Sequence, residues 1–247
     1  MDGPRPTFKT GLILMELAYL VRLLEHNKFE RTNLPLSSPL VVHGIAGSGK
    51  STILTTFHHH YPAHPIFSHS PTLLDPSNRI YQQCITTDSV PDGAIVDEYN
   101  YKALDYSRCL ALFGDPLQLP HSLQPHYYSS RTHRYGPKLT SLLNDLFHLS
   151  ITSLAPVDSL DYADPFAVDP SGFIIADEEV YNFVSQQVPG TLLPLDTVGL
   201  EYSSVSFYCS DLRRCVVLRP LSTFIALTRA KGNLTIFDFN ARFSSTT

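Results

Sequence analysis

Three short apolar runs stand out in the first half of the chain, and each ends in glycine or acidic residues. They are Leu40–His43, Gly93–Val96 and Cys109–Phe113. Unbroken runs of four or five largely apolar residues are typical of strands that are buried on both faces of a parallel sheet. The carboxyl ends of parallel strands meet at one edge, so the polar residues that follow should lie together. The pattern predicts an α/β sheet with a site along that edge.

Helical patterns accompany these strands. The segment Phe8–Asn27 has apolar positions at helical spacing, namely Ile13, Leu17, Leu20 and Leu24. Its apolar part is short for a bilayer and carries Glu16 and Arg22, so we expect a largely buried helix and no membrane insertion. A second helix is predicted to begin at Lys50, directly after the first apolar run and its glycines.

The pattern changes after Gln118. Residues Leu119–Pro125 have the composition of a linker. Farther on, strand-like Val205–Tyr208 and Leu234–Phe237 lie on either side of a helix-like segment, Leu221–Arg229. These elements predict a second, smaller α/β unit.

Composition restricts the classes of protein that the chain can belong to. Hydrophobic residues make up 43% of the 247 positions and charged residues 17%, which is ordinary for a globular core. The net charge of −5 argues against a protein that binds nucleic acid over its whole surface. No Lys or Arg occurs between Lys138 and Arg213, so we expect that acidic stretch to face away from any polyanion. The four cysteines form no CxxC pair and are expected to be buried thiols in a reducing compartment.

The first glycine-rich segment carries the strongest chemical signal. It fits the pattern GxxxxGK[ST] at every position, with the residues Gly44, Ile45, Ala46, Gly47, Ser48, Gly49, Lys50 and Ser51. Backbone N–H groups of such a loop, with the N-terminus of the next helix, form a cradle for phosphate oxygens. Lys50 should reach the β- and γ-phosphates of ATP, and the Ser51 hydroxyl should bind Mg²⁺.

Further candidates follow the second and third runs. Asp97 is expected to hold Mg²⁺, and Glu98 to polarise the attacking water as general base. Gln118, after the third run, could sense the γ-phosphate or orient that water. Arg134 and Arg229, in the second unit, are expected to stabilise charge on the transferred phosphoryl group if that unit closes over the nucleotide.

Other readings remain open. The histidines at positions 58–60, 64 and 69 suggest zinc, but acidic or cysteine ligands at suitable spacing are missing and Pro62 interrupts the helix. A small P-loop kinase would need an acceptor pocket. A third reading is an interaction protein that uses nucleotide as a conformational switch and recruits partners through the acidic stretch at 156–180.

Taken in order, these segments resemble the motifs of superfamily 1 helicases of positive-strand RNA viruses. The matching segments are Gly44–Ser51, Val96–Tyr99, Gly114–Gln118, Arg131–Gly136, Asp196–Tyr202 with Val205, and Ala226–Lys231. Within that group the chain is most similar to the first triple-gene-block movement proteins of potexviruses and their relatives. This closer likeness rests on the sequence from Phe29 to Gly44 and on the short overall length.

The resemblance implies an α/β fold of two RecA-like P-loop NTPase domains with parallel sheets and the nucleotide in the interdomain cleft. Residues 1–120 would form the ATP-binding domain and residues 121–247 the C-terminal helicase domain. It also implies an RNA-binding, Mg²⁺-dependent ATPase that aids transport of viral RNA through plasmodesmata and suppresses host RNA silencing. The implied partners are single-stranded viral RNA, the viral coat protein, the other triple-gene-block proteins, host silencing factors and further copies of the chain, all in the host cytoplasm.

Two departures limit what can be carried over. The chain has no length for the inserted subdomains with which larger helicases separate strands, so processive unwinding is not expected. It also has no Trp, so base stacking would fall to Tyr127, Tyr128 or Tyr135. Arg131 and Lys138 lie near these tyrosines in the sequence, and packing between the domains is the alternative role for the three rings.

Overall fold

The computed structural model describes residues 8–69, 81–83, 90–118 and 122–241, with side chains from Met15 onward except at positions 82 and 83. The chain divides into two compact units. The first comprises residues 1–45 and 49–129, and the second comprises residues 46–48 and 130–247. The first unit therefore extends beyond the boundary predicted at residue 120. Three residues of the glycine-rich loop are grouped with the second unit.

The first unit is built on a seven-stranded sheet. Its elements are α1 (Phe8–His26), β1 (Glu30–Arg31), β2 (Leu40–Gly44), α2 (Lys50–His60), β3 (Ile66–Ser68), β4 (Tyr81–Gln83), β5 (Ile95–Asp97), β6 (Ala111–Gly114) and β7 (Tyr127–Ser129). The strand order is β1-β7-β2-β6-β5-β3-β4, and every pair is parallel except β1 with β7. The three predicted strands are β2, β5 and β6, and they are neighbours in the centre of the sheet.

Burial explains why these strands could be recognised from the sequence. Every residue of β2, β5 and β6 is buried. One sheet face packs on α1 and α2 through Leu20, Leu24 and Phe57, while the other face packs around Tyr99 and Tyr106. The predicted first helix is confirmed as α1, and α2 ends at His60, just before Pro62. Among the described residues, no helix is long and apolar enough to cross a membrane.

The second unit is also α/β. Its elements are β8 (Arg131–Thr132), α3 (Pro137–Phe147), β9 (Thr152–Ser153), β10 (Ser159–Ala163), β11 (Phe173–Ala176), α4 (Tyr181–Gln187), β12 (Tyr202–Cys209), α5 (Leu212–Leu218), α6 (Pro220–Leu227) and β13 (Ala230–Asp238). The main sheet has the order β10-β13-β12-β11 with all pairs parallel, and β8 pairs with β9 separately. The strands predicted at Val205–Tyr208 and Leu234–Phe237 lie within β12 and β13, and the predicted helix Leu221–Arg229 corresponds to α6.

Two features of the second half differ from the sequence prediction. The acidic stretch contains two sheet strands, β10 and β11, that the pattern did not reveal. The described part of the predicted linker, residues 122–125, leads into β7, which is an integral strand of the first sheet. Leu119, Pro120 and His121 of that linker lie outside the described residues, as does Cys84. The other three cysteines are buried, as expected.

Candidate nucleotide-binding site

The order of strands in the first unit brings the predicted site residues to one edge. Strand β6 lies between β2 and β5 in the sheet. The glycine-rich loop leaves the carboxyl end of β2, Asp97 ends β5, and the Gly114–Gln118 segment leaves β6. Because all three strands run parallel, their carboxyl ends meet at the same edge. Three of the sequence motifs therefore converge within a single unit.

The loop has the backbone expected of a phosphate cradle. Gly49, with φ +94°, adopts the left-handed region and immediately precedes α2, so the first N–H groups of the helix have no partner within it. The Lys50 ammonium is buried and donates to the Gly44 carbonyl oxygen at 2.6 Å. A bound polyphosphate would offer this ammonium a charged acceptor in place of the carbonyl.

The tip of the loop is held within the second unit. The Thr132 hydroxyl donates to the Ala46 carbonyl oxygen at 2.9 Å, and the His133 N–H donates to the Gly47 carbonyl oxygen at 2.9 Å. Gly47 has φ +78°, and a Cβ there would lie 2.5 Å from the Cβ of Arg134. Only glycine satisfies both the backbone conformation and this close approach.

Asp97 is the most strongly perturbed acid of the site. It is 4% exposed. Burial, followed by the neighbouring Glu98 carboxylate, raises the pKa of Asp97 to about 7 despite the opposing charge of Lys50. The Tyr81 hydroxyl lies near the Asp97 carboxylate and the Ser51 hydroxyl, without the geometry of a full hydrogen bond to either. A divalent cation bound here would favour the charged form of the carboxyl.

Glu98 has two properties that suit a group which acts on water. Its backbone lies in the left-handed region at φ 54°, a conformation that costs a non-glycine residue free energy and that is concentrated at functional sites. Its Oε2 atom is buried and accepts no hydrogen bond from the described residues. A buried carboxylate oxygen without a donor can accept a proton or orient a water molecule.

Gln118 is held in place through Asp115. Both side chains are buried, and the Gln118 amide donates from Nε2 to the Asp115 Oδ2 at 2.8 Å. The other carboxylate oxygen of Asp115 accepts the Leu117 N–H at 2.9 Å. Gln118 therefore has a fixed position in the turn after β6, while its role as a sensor of the γ-phosphate stays a prediction.

Arg134 belongs to a charged cluster in the second unit. Its guanidinium pairs with Glu201, which also accepts from Lys231 at 2.6 Å, and it donates to the Thr228 carbonyl oxygen at 3.2 Å. Burial alone would raise the pKa of Glu201, but Arg134 and Lys231 outweigh burial and lower it. The Arg134 Nε atom is buried and donates to no described acceptor, so part of the guanidinium is still available for an anion.

Arg229 is placed differently from a free arginine finger. It is 1% exposed. Its guanidinium donates to the carbonyl oxygens of Ile225, Thr197 and Leu200 and to the Thr228 hydroxyl, at 3.1 to 3.2 Å. These bonds tie the segment after the 3-10 turn Pro194–Thr197 to the end of α6. A finger role for Arg229 stays a prediction, and it would require some of these bonds to break.

A histidine that the sequence reasoning missed adjoins the loop. His43, the residue before Gly44, is buried and its Nε2 atom lies 2.8 Å from the Tyr99 hydroxyl. Burial and then the Lys50 charge lower the pKa of His43 to about 4. The imidazole is therefore neutral at physiological pH. Its position in an otherwise apolar strand, directly before the glycines, was the available signal.

The tyrosines proposed for RNA stacking prove to be largely inaccessible. Tyr127 and Tyr135 are buried and cannot stack on a base in this conformation, which corrects that expectation. Tyr128 is 39% exposed, and its hydroxyl donates to Glu30 at 2.8 Å.

Two of the candidate zinc ligands, His60 and His64, have other partners. The His60 Nδ1 atom lies 2.9 Å from the Tyr19 hydroxyl, and the His64 Nε2 atom lies 2.8 Å from Glu16. Among the described residues, no group of three or more histidine, cysteine or acidic side chains could hold a metal ion. The structure therefore gives the zinc reading no support in that part of the chain.

The residues of the first unit fit a Mg²⁺–nucleotide complex. A left-handed glycine, free helix N–H groups and a buried ammonium suit a triphosphate, and the Ser51 and Asp97 oxygens suit a hard divalent cation. In the loop itself, the buried Ser48 hydroxyl has no described partner. Such an unsatisfied donor at a loop of this kind is explained readily by a ligand.

Two solved viral helicases share the fold of this chain. The solved helicase of PRRSV superimposes with a TM-score of 0.58 at 14% identity, and an arterivirus nonstructural protein 10 (helicase) complex with DNA does so with 0.51 at 15%. These likenesses cover 93% and 90% of this chain but 55% and 57% of those helicases, so the chain spans little more than half their length. At such low identity they support the fold alone.

Sequence comparison identifies the family. The family model described as the viral superfamily 1 RNA helicase core domain matches residues 40–238. The movement and silencing protein TGBp1 of Narcissus mosaic virus is 34% identical over 231 residues, covering 92% of this chain and 97% of that protein. Its counterpart in Strawberry mild yellow edge-associated virus is 34% identical over 227 residues, with 91% and 97% covered. The chain therefore belongs to the viral superfamily 1 RNA helicases and, within them, to the TGBp1 movement and silencing proteins.

Proposed function

We propose that the chain is a Mg²⁺-dependent ATPase of helicase type that couples hydrolysis to binding of single-stranded viral RNA. In the infected plant it would aid passage of viral RNA through plasmodesmata and suppress RNA silencing. The observation that carries the ATPase proposal is the convergence of the glycine loop, Asp97–Glu98 and Gln118 at one edge of the first sheet. The names of the relatives support the roles in movement and silencing.

Each candidate site residue of the first unit has a role in this proposal. The loop amides and Lys50 bind the β- and γ-phosphates, and Ser51 and Asp97 hold the cation. When bound, Mg²⁺ would neutralise charge on the phosphate oxygens. Glu98 accepts the proton of the attacking water, for which its buried and unpaired Oε2 is suited. Gln118 orients that water or senses the γ-phosphate from its fixed position beside Asp115.

The second unit would contribute positive charge. We propose two RecA-like domains with the nucleotide in the cleft between them, so that hydrolysis depends on closure. Arg134 is the stronger candidate for contact with the transferred phosphoryl group, because its Nε atom has no described acceptor. The Arg229 guanidinium is already bonded at each of its nitrogens. In this proposal Arg229 contributes first by holding the Thr197–Leu200 segment in place.

The remaining expectations extend this proposal to the cell. The coat protein, the other triple-gene-block proteins, host silencing factors and further copies of the chain are proposed partners, and the host cytoplasm and plasmodesmata are the proposed locations. The acidic stretch between Lys138 and Arg213 supports a division of surfaces, in which RNA binds elsewhere and proteins bind there. Duplex unwinding is not part of the proposal.

A phosphate-release assay tests the proposal directly. We expect ATP hydrolysis that requires Mg²⁺, rises with added single-stranded RNA and disappears in Lys50→Ala. The matched control is Lys28→Ala, which removes an ammonium group from the same unit far from the loop in sequence. Wild-type turnover in Lys50→Ala would refute the site.

A second candidate is an interaction scaffold that uses nucleotide as a conformational switch. The observation that favours it is the exposed apolar surface within the acidic stretch, including Val157 and Phe166. Nucleotide binding with turnover that is indifferent to RNA would support this alternative over the motor.

A further inference from the structure

The segment between β10 and β11 crosses one face of the second sheet. These strands lie at opposite edges of a sheet in which every pair is parallel, so residues 164–172 must return over β13 and β12. The segment is fixed at its start, where the Asp164 carboxylate accepts the Phe166 N–H at 2.9 Å. It is also fixed at its end, where the Ser206 hydroxyl accepts the Ser171 N–H and donates to the Ser171 carbonyl oxygen.

Close packing on the sheet confirms that this crossover has a defined path. Gly172 has φ +73°, and a Cβ there would lie 2.4 Å from the Ser204 carbonyl oxygen. The backbone therefore runs directly against β12 at this point. The backbone of the crossover is thus anchored to β12 at its end, while the Asp164–Phe166 hydrogen bond fixes a turn at its start.

Three phenylalanine rings form a continuous surface beside the crossover. Phe166 is 78% exposed and Phe183 is 53% exposed. Both meet the half-buried Phe239 edge-on, with ring centroids 5.5 and 5.9 Å apart. We call Phe166, Phe183 and Phe239 the aromatic surface. Single exposed apolar residues are common, but contiguous aromatic rings on a fixed segment are a feature of binding sites.

The charges around the aromatic surface are negative. Asp164 and Asp169 lie on the crossover. Burial and then the Asp169 carboxylate raise the pKa of Tyr208, whose ring contacts that of Phe239. Asp161 shares a strand face with Ala163, which packs against the core under the same rings. The carboxylates of Asp177 and Glu179 are not available in the same way, because Arg219 and Arg214 pair with them.

Positive charge is scarce in this part of the sequence. No Lys or Arg occurs from residue 139 to residue 212. Burial raises the pKa of Tyr162, and the nearby charge of Arg213 opposes that rise. The Tyr162 side chain points to the face of β10 opposite to that of Asp161 and Ala163. Among the described residues, the surface is therefore apolar at its centre and acidic around it, a combination that would repel RNA and an anionic membrane.

We propose that the aromatic surface is the docking site for a cationic peptide segment of a protein partner, one that carries arginine or lysine together with apolar side chains. Guanidinium and ammonium groups are attracted to aromatic faces and to the surrounding carboxylates, while apolar side chains bury the exposed rings. The inference requires no nucleotide hydrolysis, so its failure would leave the ATPase proposal intact.

Fluorescence anisotropy with the full chain tests this site. The probe is a fluorescein-labelled peptide of alternating arginine and leucine, and the control peptide has glutamate in place of arginine. We expect the cationic peptide alone to bind, and Phe166→Ala to weaken its affinity about tenfold. Tyr162→Ala is the matched control, since Tyr162 is 48% exposed on the opposite face of β10. The double variant of Asp161→Asn and Asp169→Asn should weaken binding and reduce its dependence on salt.

Three results would overturn the proposal. One is equal binding of the cationic peptide to the wild type and Phe166→Ala, and another is equal binding of both peptides. The third is a concentration-dependent dimer in sedimentation that Phe166→Ala abolishes, which would assign the surface to a second copy of this chain. Phe166→Ala should retain wild-type thermal unfolding and ATP hydrolysis, which separates a docking defect from a folding or catalytic one.

Discussion

Replacing Asp97 by asparagine should change how the stability of the nucleotide-free chain depends on pH. Burial holds the pKa of Asp97 at about 7 in the folded chain, against an ordinary value of 3.8. Between these values the folded chain binds a proton that the unfolded chain has released. The contribution of this group to stability is therefore full below about pH 4 and is lost as the pH rises through 7. The asparagine side chain of the variant would not titrate.

The size of the effect follows from the same two values. Each tenfold change in proton affinity is worth about 1.4 kcal/mol, so the wild type should lose on the order of 4 kcal/mol in total that Asp97→Asn does not lose. Roughly 3 kcal/mol of that loss falls between pH 5 and pH 8.5. For a chain of this size, 1 kcal/mol corresponds to about 2–4 °C in Tm. As the pH rises over that range, the Tm of the wild type should thus fall by roughly 6–12 °C relative to the Tm of Asp97→Asn.

Thermal unfolding followed by circular dichroism, in buffers from about pH 5 to pH 8.5 without Mg²⁺ or nucleotide, measures this difference. Asp92→Asn is the control, because the Asp92 side chain is 60% exposed on the same unit. A difference in Tm that stays constant across the pH range would refute the assignment of a buried Asp97 with a raised pKa. With Mg²⁺ and nucleotide added, the wild type should gain stability that the variant does not.

Four further changes test the candidate site. Glu98→Gln should lower kcat at least about 100-fold while the Kd for nucleotide stays within about twofold, as measured by phosphate release and by nucleotide fluorescence; comparable losses in both would contradict a general base. Arg134→Ala should lower kcat by about 10- to 1000-fold with little change in nucleotide affinity, and an unchanged kcat would exclude contact with the phosphoryl group. Arg229→Ala should reduce the free energy of unfolding by about 3 kcal/mol, because it leaves several buried acceptors unpaired; wild-type stability with a large loss of kcat would restore the finger role. Gly47→Ala should weaken nucleotide binding and destabilise the chain by about 1–3 kcal/mol, because a Cβ at φ +78° meets Arg134. Normal nucleotide binding in that variant would show that the loop tip can rearrange.

The central sheet of the first unit could be predicted from the sequence because its strands are fully buried. Leu40–Gly44, Ile95–Asp97 and Ala111–Gly114 are unbroken in burial, so their sequences are continuous apolar runs. The glycine pattern then located the candidate phosphate cradle, since few other structures require that spacing. Local sequence was sufficient here because each element is defined by its own residues.

The second sheet could be predicted only in part, because its edge strands are less uniformly buried. Ser159–Ala163 has intermediate or exposed residues at every position, and its polar residues concealed the strand. Phe173–Ala176 is an apolar run that could have been predicted as a strand like the others, but the acidic residues on either side of it obscured the pattern. Edge strands pair on one side only, and their composition is correspondingly less distinctive.

The surroundings of the site residues could not be predicted from local patterns. Arg229 gave no sign in the sequence that its acceptors would be carbonyl oxygens of Thr197 and Leu200, about thirty positions away. Tyr81 likewise comes near Ser51 and Asp97 only through the pairing of β4 with β3 and of β3 with β5. Such contacts depend on tertiary structure, which residue spacing alone does not encode.

The grouping of residues 46–48 with the second unit has a practical consequence for anyone who divides the chain into fragments. A single cut after Ser129 would separate Thr132 and His133 from the carbonyl oxygens of Ala46 and Gly47 that they bond. A fragment ending at Ser129 would carry the loop without the groups that hold its tip, and its partner fragment would begin with two orphaned donors. Mixing the separately expressed halves and testing for recovered nucleotide binding would show whether three residues suffice to make the chain indivisible.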